Sequence, residues 1–282
     1  MPKKYIISAI VIVVLALAGV SYMFFFRAPR VVPAPAAKTS VHVYKNNTAD
    51  ITHIRVKAFY AVPQNKAVNI DPSWKDELSS ALADAAQFHA LQFRGLSELS
   101  YDIYPEPVML QHDDVTYDTT STNDGNPHAL VNVGEEIESR IFKSGGDLYD
   151  PAFAAVKPGE YTVWAILYEG VGASGGVIYD TPLTDLGDIA KKLDLPESII
   201  YVVNIDSASG FFILNRDYLV KDSLKISGTS IFYHEFAHTI GLPDLFNANN
   251  APYSNDIMGI GREKPIENTY IGKDFLSAMG VP

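Results

Sequence analysis

Two histidines and a glutamate fall within a single turn of a predicted helix, in the sequence HEFAH at positions 234–238. Residues four apart on a helix project from the same face, so the imidazole rings of His234 and His238 can reach one metal ion. Glu235 lies on a neighbouring face, where its carboxylate can accept a proton from a metal-bound water. A purely structural metal site does not need this carboxylate, so the pattern indicates catalysis rather than an exposed helix with a polar face.

The residues after this helix predict a sharp turn that brings a third ligand back to the metal. Gly241 tolerates the left-handed conformation that ends many helices, and Pro243 prevents the helix from continuing. Without such a turn, a carboxylate as close in sequence as Asp244 could not reach the ion. The sequence therefore predicts a site formed by His234, His238 and Asp244, with zinc as the metal.

The whole pattern, HExxHxxGxxD, resembles the zinc signature of the metzincin metallopeptidases in its form with aspartate as the third ligand. The sequence HEFAHTIGLPDLF is most similar to the immune inhibitor A-like metzincins, and snapalysin-like enzymes share the aspartate variant. The resemblance implies an α+β fold in two lobes. The upper lobe would be α/β, with a mixed twisted sheet and the active-site helix, and the C-terminal lobe would be small.

A second motif that resembles this family is SNDIMG, in which Met258 lies fourteen residues after Asp244. It is similar to the methionine turn that metzincins carry below the metal. The resemblance implies that His234, His238 and Asp244 are zinc ligands, that Glu235 is the general base and acid, and that Met258 forms an apolar floor. An ordinary core methionine is the alternative role for Met258, because methionine fills irregular gaps.

Two features differ from the family pattern. Many metzincins have a tyrosine two residues after the turn methionine, able to stabilise the oxyanion, where this chain has Ile260. Tyr253 and Tyr270 are nearby, but neither occupies a motif position, so that role stays open. The negative charge of an aspartate ligand makes zinc-bound water less acidic than in a three-histidine site. The reaction would therefore depend more strongly on Glu235 as the proton acceptor.

A thermolysin-like arrangement would take its third ligand from a glutamate on a separate helix. Glu263 and Glu267 lie 25 and 29 residues after His238. Pro265 stands between them and interrupts a helix, and no NExxxD-type sequence surrounds them. We interpret both as solvated surface acids.

Residues 1–26 predict an N-terminal membrane anchor. The segment Tyr5–Phe26 contains 22 uncharged residues, which as a helix would span about 33 Å, enough for a hydrocarbon core of about 30 Å. A cleavable signal peptide is the alternative, because ALA at 16–18 resembles a cleavage site; the apolar run continues for eight residues beyond it, which favours the anchor. The positive charges on the two sides are nearly equal, so orientation is inferred from function: membrane-tethered proteases usually face outwards.

Residues 27–40 form a Pro/Ala-rich linker, and residues 41–282 are long enough for one catalytic domain. The first 40 residues contain five basic and no acidic residues, so the rest of the chain carries a net charge of −16. This charge argues against nucleic-acid binding and against docking on anionic lipid.

The chain contains no cysteine, which excludes disulfides, a lipoprotein anchor and a cysteine thiolate that blocks the metal in an inactive precursor. We expect a monomer that is secreted if the N-terminal segment is cleaved.

Hydrophobic patterns along residues 41–282 are compatible with a metzincin-like domain. His89 falls in the first predicted helix without a motif partner, and we interpret it as a core-edge residue rather than a ligand. Strands are predicted at 52–62, 99–110, 161–168 and 198–205, and helices at about 72–93, from about 227–230 through the zinc motif, and at about 272–279.

Two further segments each have two interpretations. The polar segment 111–126 is predicted to be a surface loop, and its acids, with those of 244–256, could bind Ca²⁺; EF-hand spacing is missing, so a solvated loop is favoured. The glycine-rich segment 170–179 is either an edge strand that binds an extended peptide, as metzincins do, or a hairpin turn.

The predicted activity is that of a zinc-dependent endopeptidase acting on a protein or peptide. Zinc would polarise the scissile carbonyl, and Glu235 would take a proton from the zinc-bound water and pass it to the leaving amine. The alternative is a membrane-tethered binding or adhesion module that retains the fold without turnover. An intact Glu235 favours the enzyme, because an inactive site is free to lose its base.

Overall fold

The structure is a computed structural model that describes residues 40–118, 127–143, 161–172, 174–178, 209–221, 224–245 and 255–282. The predicted anchor at 1–26 and the predicted linker up to residue 39 lie outside these ranges. None of the helices in the described ranges combines the length and the apolar character that a membrane crossing requires.

Two sheets are present in the described residues. Their strands are β1 (His42–Val43), β2 (Asn46–Asp50), β3 (His53–Val62), β4 (Glu98–Ile103), β5 (Val108–Met109), β6 (Tyr161–Tyr168), β7 (Ser174–Ile178) and β8 (Gly210–Asn215). The short antiparallel pair β1-β2 precedes a larger sheet with the order β4-β3-β6-β8-β7, in which the short strand β5 also pairs with β3. All pairs in the larger sheet are parallel except β7 with β8.

Helices cover both faces of this sheet, which explains why every residue of β6 and β8 is buried. Successive side chains of β3 point to opposite faces: Val56 and Ala58 join the larger core cluster, whereas Phe59 joins the cluster on the other face. The helices are α1 (Trp74–Gln92), α2 (Pro127–Lys143), α3 (Asp217–Val220), α4 (Lys225–Thr239) and α5 (Lys273–Ala278).

The mixed α/β class with a mainly parallel sheet agrees with the expectation for the upper lobe. Helix α1 packs with α4 on the larger core, and α2 contributes Val133 and Ile137 to the cluster on the opposite face. The predicted elements at 52–62, 72–93, 161–168 and 272–279 correspond to β3, α1, β6 and α5. The helix of the zinc motif begins at Lys225, slightly before the predicted start.

Three other predicted segments have different outcomes. The single strand predicted at 99–110 is wrong: it is divided into β4 and β5, because Pro105 and Pro107 lack the N–H that a continuous ladder needs. The strand predicted at 198–205 lies outside the described residues. The glycine-rich segment contains the strand β7, which pairs with β8 and not with β6, so it is not a simple hairpin turn.

Candidate metal centre

Helix α4 presents two imidazole rings to one point at its C-terminal end. The Nε2 atoms of His234 and His238 lie 3.2 Å apart, and the rings are nearly perpendicular, at 81°. This proximity follows directly from their spacing of four residues on a helix. His234 is buried, whereas the His238 side chain is 17 % exposed. His238 is therefore the ring of the pair that lies nearer the surface.

The helix ends in a tight turn at Gly241, whose φ of 88° lies in the left-handed region that glycine tolerates. Its N–H donates to the carbonyl of His238 at 3.0 Å, and the N–H of Leu242 donates to the carbonyl of Ala237 at 3.1 Å. A β-carbon on Gly241 would lie 3.0 Å from the carbonyl oxygen of Tyr44. The turn predicted from the sequence is thus present, and no larger residue fits it without strain.

This turn returns Asp244 to the histidines. Its Oδ1 atom lies 3.3 Å from Nε2 of His234 and 3.6 Å from Nε2 of His238. Ligands about 2.0–2.1 Å from a tetrahedral zinc ion lie about 3.3–3.4 Å from one another, so all three atoms can contact a single ion. The donor set of two imidazoles and one carboxylate is also one that zinc accepts. His234, His238 and Asp244 form a group that could hold a metal ion.

The other nitrogen of each ring fixes which atom faces the metal. Nδ1 of His234 lies 2.8 Å from the carbonyl oxygen of Ile257, and Nδ1 of His238 lies 2.8 Å from that of Leu242. A carbonyl oxygen only accepts, so both Nδ1 atoms carry the proton and donate it. Both Nε2 atoms are therefore left with a lone pair directed at the ligand group, the arrangement typical of metal-binding histidines.

The electrostatic environment favours the protonation states that bind a metal. Burial lowers the pKa of His238 to about 4, and the neighbouring His234 acts in the same direction. Burial acts to raise the pKa of Asp244, but the adjacent imidazoles of His234 and His238 and the charge of Arg262 outweigh this and bring it below its ordinary value. At neutral pH the His238 imidazole is therefore neutral and the Asp244 carboxylate is ionised.

The two other predicted site residues lie next to this group. Glu235 is on α4 directly after His234 and is only 6 % exposed. Met258 is fully buried in the larger core, and its carbonyl accepts the N–H of Leu245 at 2.8 Å. Because Ile257, the residue before Met258, supplies the carbonyl for His234, the methionine segment contacts both a ligand and the chain beyond Asp244.

Sequence reasoning missed two residues at the site. Asp256 is buried, and its Oδ1 accepts the N–H of Met258 at 2.9 Å. Burial raises the pKa of Asp256, against the effect of the Met258 and Gly272 N–H groups and of His234. Aspartates commonly stabilise turns by accepting a hydrogen bond from the backbone N–H two residues later. The position of Asp256 two residues before Met258 therefore gave some indication of this contact.

The second missed residue is Arg262, in a short 3-10 turn at Ile260–Glu263. Its Nη1 lies 3.2 Å from Nε2 of His234, the atom that faces the metal site. Nothing in its local sequence indicates this contact, which depends on how the turn packs against α4.

Several other candidates do not join the site. Glu263 and Glu267 are exposed, and neither belongs to the metal-binding group, as expected for surface acids. Tyr253 lies outside the described residues, and Tyr270 bonds the N–H of Ile257 through its backbone carbonyl. Among the described residues, no other cluster of His, Cys, Asp or Glu has the geometry to hold a metal ion. His89 is not a ligand, but it is fully buried rather than at the edge of the core.

Comparisons with known proteins add no family assignment to this geometry. No protein-family model matches the chain, and no curated protein gives a significant match. The interpretation of the site therefore depends on its own residues: two imidazole nitrogens and one carboxylate oxygen that converge, and Glu235 next to His234 on the same helix.

Proposed function

We propose that this protein is a zinc-dependent endopeptidase of the metzincin type. The observation that carries the proposal is the convergence of His234 Nε2, His238 Nε2 and Asp244 Oδ1, with Glu235 adjacent on the same helix. A zinc ion held by these three atoms would supply Lewis acidity to a water molecule and to the scissile carbonyl. Three protein ligands leave a fourth position for that chemistry, as in catalytic zinc sites generally.

Glu235 provides the proton transfers. In the proposed reaction the oxygen of a water forms a bond to the scissile carbonyl carbon, and the C–N bond then breaks. Glu235 accepts a proton from that water and delivers it to the leaving nitrogen, which gives a carboxylic acid and an amine; transfer of the second proton of the water to the amine then leaves a carboxylate and an ammonium group. Its near-complete burial limits access of bulk water to the carboxylate, which keeps the proton near the reacting atoms.

The proposed substrate is an extended segment of a peptide or protein. β7 is at the end of the sheet among the described residues, and it lies against α4, which carries the ligands. An extended peptide could add to such a strand by main-chain hydrogen bonds and pass over the metal centre. This mode is also the one that the metzincin resemblance implies.

The proposed setting is the outer face of a membrane. The apolar segment at 1–26 would anchor a monomeric catalytic domain through the linker at 27–40, with the domain outside the cytoplasm. Cleavage of the N-terminal segment would instead release a secreted enzyme.

The decisive variant is Glu235→Gln, which keeps the shape of the side chain but removes the base. With the zinc-loaded full-length chain in detergent and casein as substrate, we expect cleavage to fall by a factor of about 10³ or more while zinc stoichiometry stays at one. Glu267→Gln, on an exposed acid outside the ligand group, is the matched control. Equal cleavage by the wild type and Glu235→Gln would refute the mechanism.

A second outcome separates the enzyme from the non-catalytic alternative. If the wild type binds one zinc ion but cleaves neither casein nor a broad peptide pool, the binding or adhesion module is the better description. If the wild type binds no zinc and Asp244→Asn changes nothing, the metal site itself is wrong.

A further inference from the structure

One buried aspartate binds two consecutive peptide groups in the turn around Met258. Asp256 is fully buried, and its Oδ1 atom accepts the N–H of Met258 at 2.9 Å. Its backbone carbonyl accepts the N–H of the next residue, Gly259, at 3.0 Å. The peptide groups Ile257–Met258 and Met258–Gly259 are therefore both bound, through their N–H, to the same residue.

The peptide group between Ile257 and Met258 has a second contact, with a proposed metal ligand. Its C=O points away from its N–H, as in any trans peptide, and lies 2.8 Å from Nδ1 of His234. The imidazole donates this bond, so Nε2 keeps its lone pair for a metal. The peptide is therefore bound at both ends, and a rotation that broke its bond to Asp256 would also turn the carbonyl away from His234.

The peptide group between Met258 and Gly259 is arranged in the same way. Its C=O accepts the N–H of Leu245 at 2.8 Å, and Leu245 directly follows Asp244. Its N–H is the one that donates to the backbone carbonyl of Asp256. Asp256 is thus bonded to the supports of two of the three proposed ligands.

The carboxylate of Asp256 is also packed tightly on its other side. A β-carbon on Gly272 would lie 2.7 Å from Oδ2 of Asp256, which is too close for ordinary contact. The φ of Gly272 is −51°, outside the left-handed region, so its backbone conformation does not require glycine. The small residue instead leaves room for the carboxylate beside the turn.

We propose that Asp256 is a positioning residue of the metal centre. Its side chain orients the Ile257–Met258 peptide, and this peptide holds the imidazole of His234 with Nε2 towards the metal. The inference rests on the zinc site of the proposed function. Groups that orient a ligand histidine typically change metal affinity by about 10–100-fold, and here a peptide group stands between the carboxylate and the imidazole.

The main test compares Asp256→Ala and Asp256→Asn with the wild type, all as full-length chains in detergent. By chelator competition, Asp256→Ala should bind zinc about 10–100-fold more weakly, because the peptide is no longer held at its N–H. Asp256→Asn keeps an oxygen that can accept the N–H of Met258, so its affinity should stay within about threefold of the wild type.

Asp71→Ala is the matched control for these variants. Oδ1 of Asp71 accepts the N–H of Ser73 at 3.0 Å, so this aspartate closes a turn with the same spacing of two residues. It lies in the turn before α1 and does not belong to the group that could hold a metal. The control should therefore keep the zinc affinity of the wild type.

A spectroscopic readout separates positioning from a general loss of stability. In the zinc-free protein, the ring ¹⁵N chemical shifts of His234 should show one tautomer, with the proton on Nδ1, in the wild type and in Asp256→Asn. Asp256→Ala should show a mixture of both tautomers, because the carbonyl of Ile257 is no longer fixed. Asp71→Ala should retain the single tautomer even if it is less stable.

A second variant tests the same carboxylate from the side of Gly272. Gly272→Ala places a β-carbon against Oδ2 of Asp256 and should displace the carboxylate, so zinc affinity should fall by at least about twofold. In the Asp256→Ala background the same substitution should leave zinc affinity unchanged, because the contact no longer exists. Gly272→Ala alone provides both readouts if Asp256→Ala folds poorly.

The contrary outcomes are distinct. Wild-type zinc affinity and a single His234 tautomer in Asp256→Ala would overturn the role of Asp256. An equal loss of affinity in Asp71→Ala or in Asp256→Asn, or additive effects of Gly272→Ala and Asp256→Ala, would do the same. A wild type that binds no zinc would instead refute the metal site on which the proposed function depends.

Discussion

Nδ1 of His89 lies 2.8 Å from the hydroxyl oxygen of Tyr233, the residue directly before His234. The other ring nitrogen of His89 is 2.7 Å from the hydroxyl of Ser97, which donates its own hydrogen to the carbonyl of Ile51. Ser97 must therefore accept from Nε2 of His89, and Nδ1 must accept from Tyr233. This fully buried chain of hydrogen bonds connects α1 and the segment between β2 and β3 to the metal helix.

The first prediction concerns Tyr233→Phe, which removes one hydroxyl from this chain. We expect the free energy of unfolding to fall by about 1–3 kcal/mol, because a buried His89 nitrogen loses its donor while the phenyl ring keeps its contacts with Phe88 and Phe236. Urea denaturation measures the change. Tyr270→Phe, at a residue that is 39 % exposed, should change stability by less than about 0.5 kcal/mol. Equal stability of Tyr233→Phe and the wild type would contradict the stabilising role of the hydrogen bond from Tyr233 to His89.

The second prediction is a pH dependence of stability that His89 causes. Burial lowers its pKa to about 3 in the folded state, whereas the unfolded chain binds the proton near pH 6.5. Between these values the unfolded state binds more protons than the folded state. The contribution of His89 to stability is therefore fully present above about pH 6.5 and is lost as the pH falls. One such group contributes a slope of about 1.4 kcal/mol per pH unit.

Urea titrations of the zinc-free protein from pH 7 to pH 5 check this slope. His89→Gln should show a shallower loss of stability with falling pH than the wild type, by about the contribution of one proton. His53→Gln is the control, because the His53 side chain is 64 % exposed. If all three proteins lose stability in parallel, His89 is not the source of the slope.

The sequence predicted those elements whose periodicity is local. The alternation of β3, the apolar positions of α1 and the compact apolar run of β6 each identify an element without reference to the rest of the chain. The strand β8 was not predicted: its sequence GFFILN is too short and too uniformly apolar to distinguish a strand from a helix. The break between β4 and β5 depends on the two prolines between them, which the hydrophobic pattern alone does not reveal.

The metal ligands were predictable for a similar reason. His234 and His238 meet because of helical spacing, and Asp244 returns because Gly241 allows a tight turn. Arg262 and Asp256 reach the site only through the packing of the C-terminal segment against α4, which has no periodic pattern in the sequence. His89 illustrates the same limit, since its partners Tyr233 and Ser97 depend on tertiary contacts.

The third prediction concerns the turn at Gly241. Gly241→Ala places a β-carbon at a φ of 88° and 3.0 Å from the carbonyl oxygen of Tyr44, so we expect stability to fall by about 1–3 kcal/mol. A shift of the turn also moves Asp244, so zinc affinity should fall by about tenfold or more. Gly95→Ala is a matched control, because Gly95 has a φ of 73° but an open surrounding. It should lose stability through backbone strain and keep the zinc affinity of the wild type.

The last prediction tests Asp244 as the third ligand. Its side chain is half exposed, so Asp244→Asn should fold normally, and any loss of metal reports on coordination rather than on the core. We expect zinc affinity, measured by competition with a chromophoric chelator, to fall by at least about 100-fold, since changes beyond the direct ligands already cost 10–100-fold. Asp244→His supplies another zinc donor and should recover much of that loss. Glu263→Gln and Glu267→Gln remove the exposed acids of the rival thermolysin-like arrangement and should leave affinity unchanged. A loss of zinc in either glutamine variant, with Asp244→Asn unaffected, would transfer the third ligand to that glutamate and remove the main support for the metzincin type.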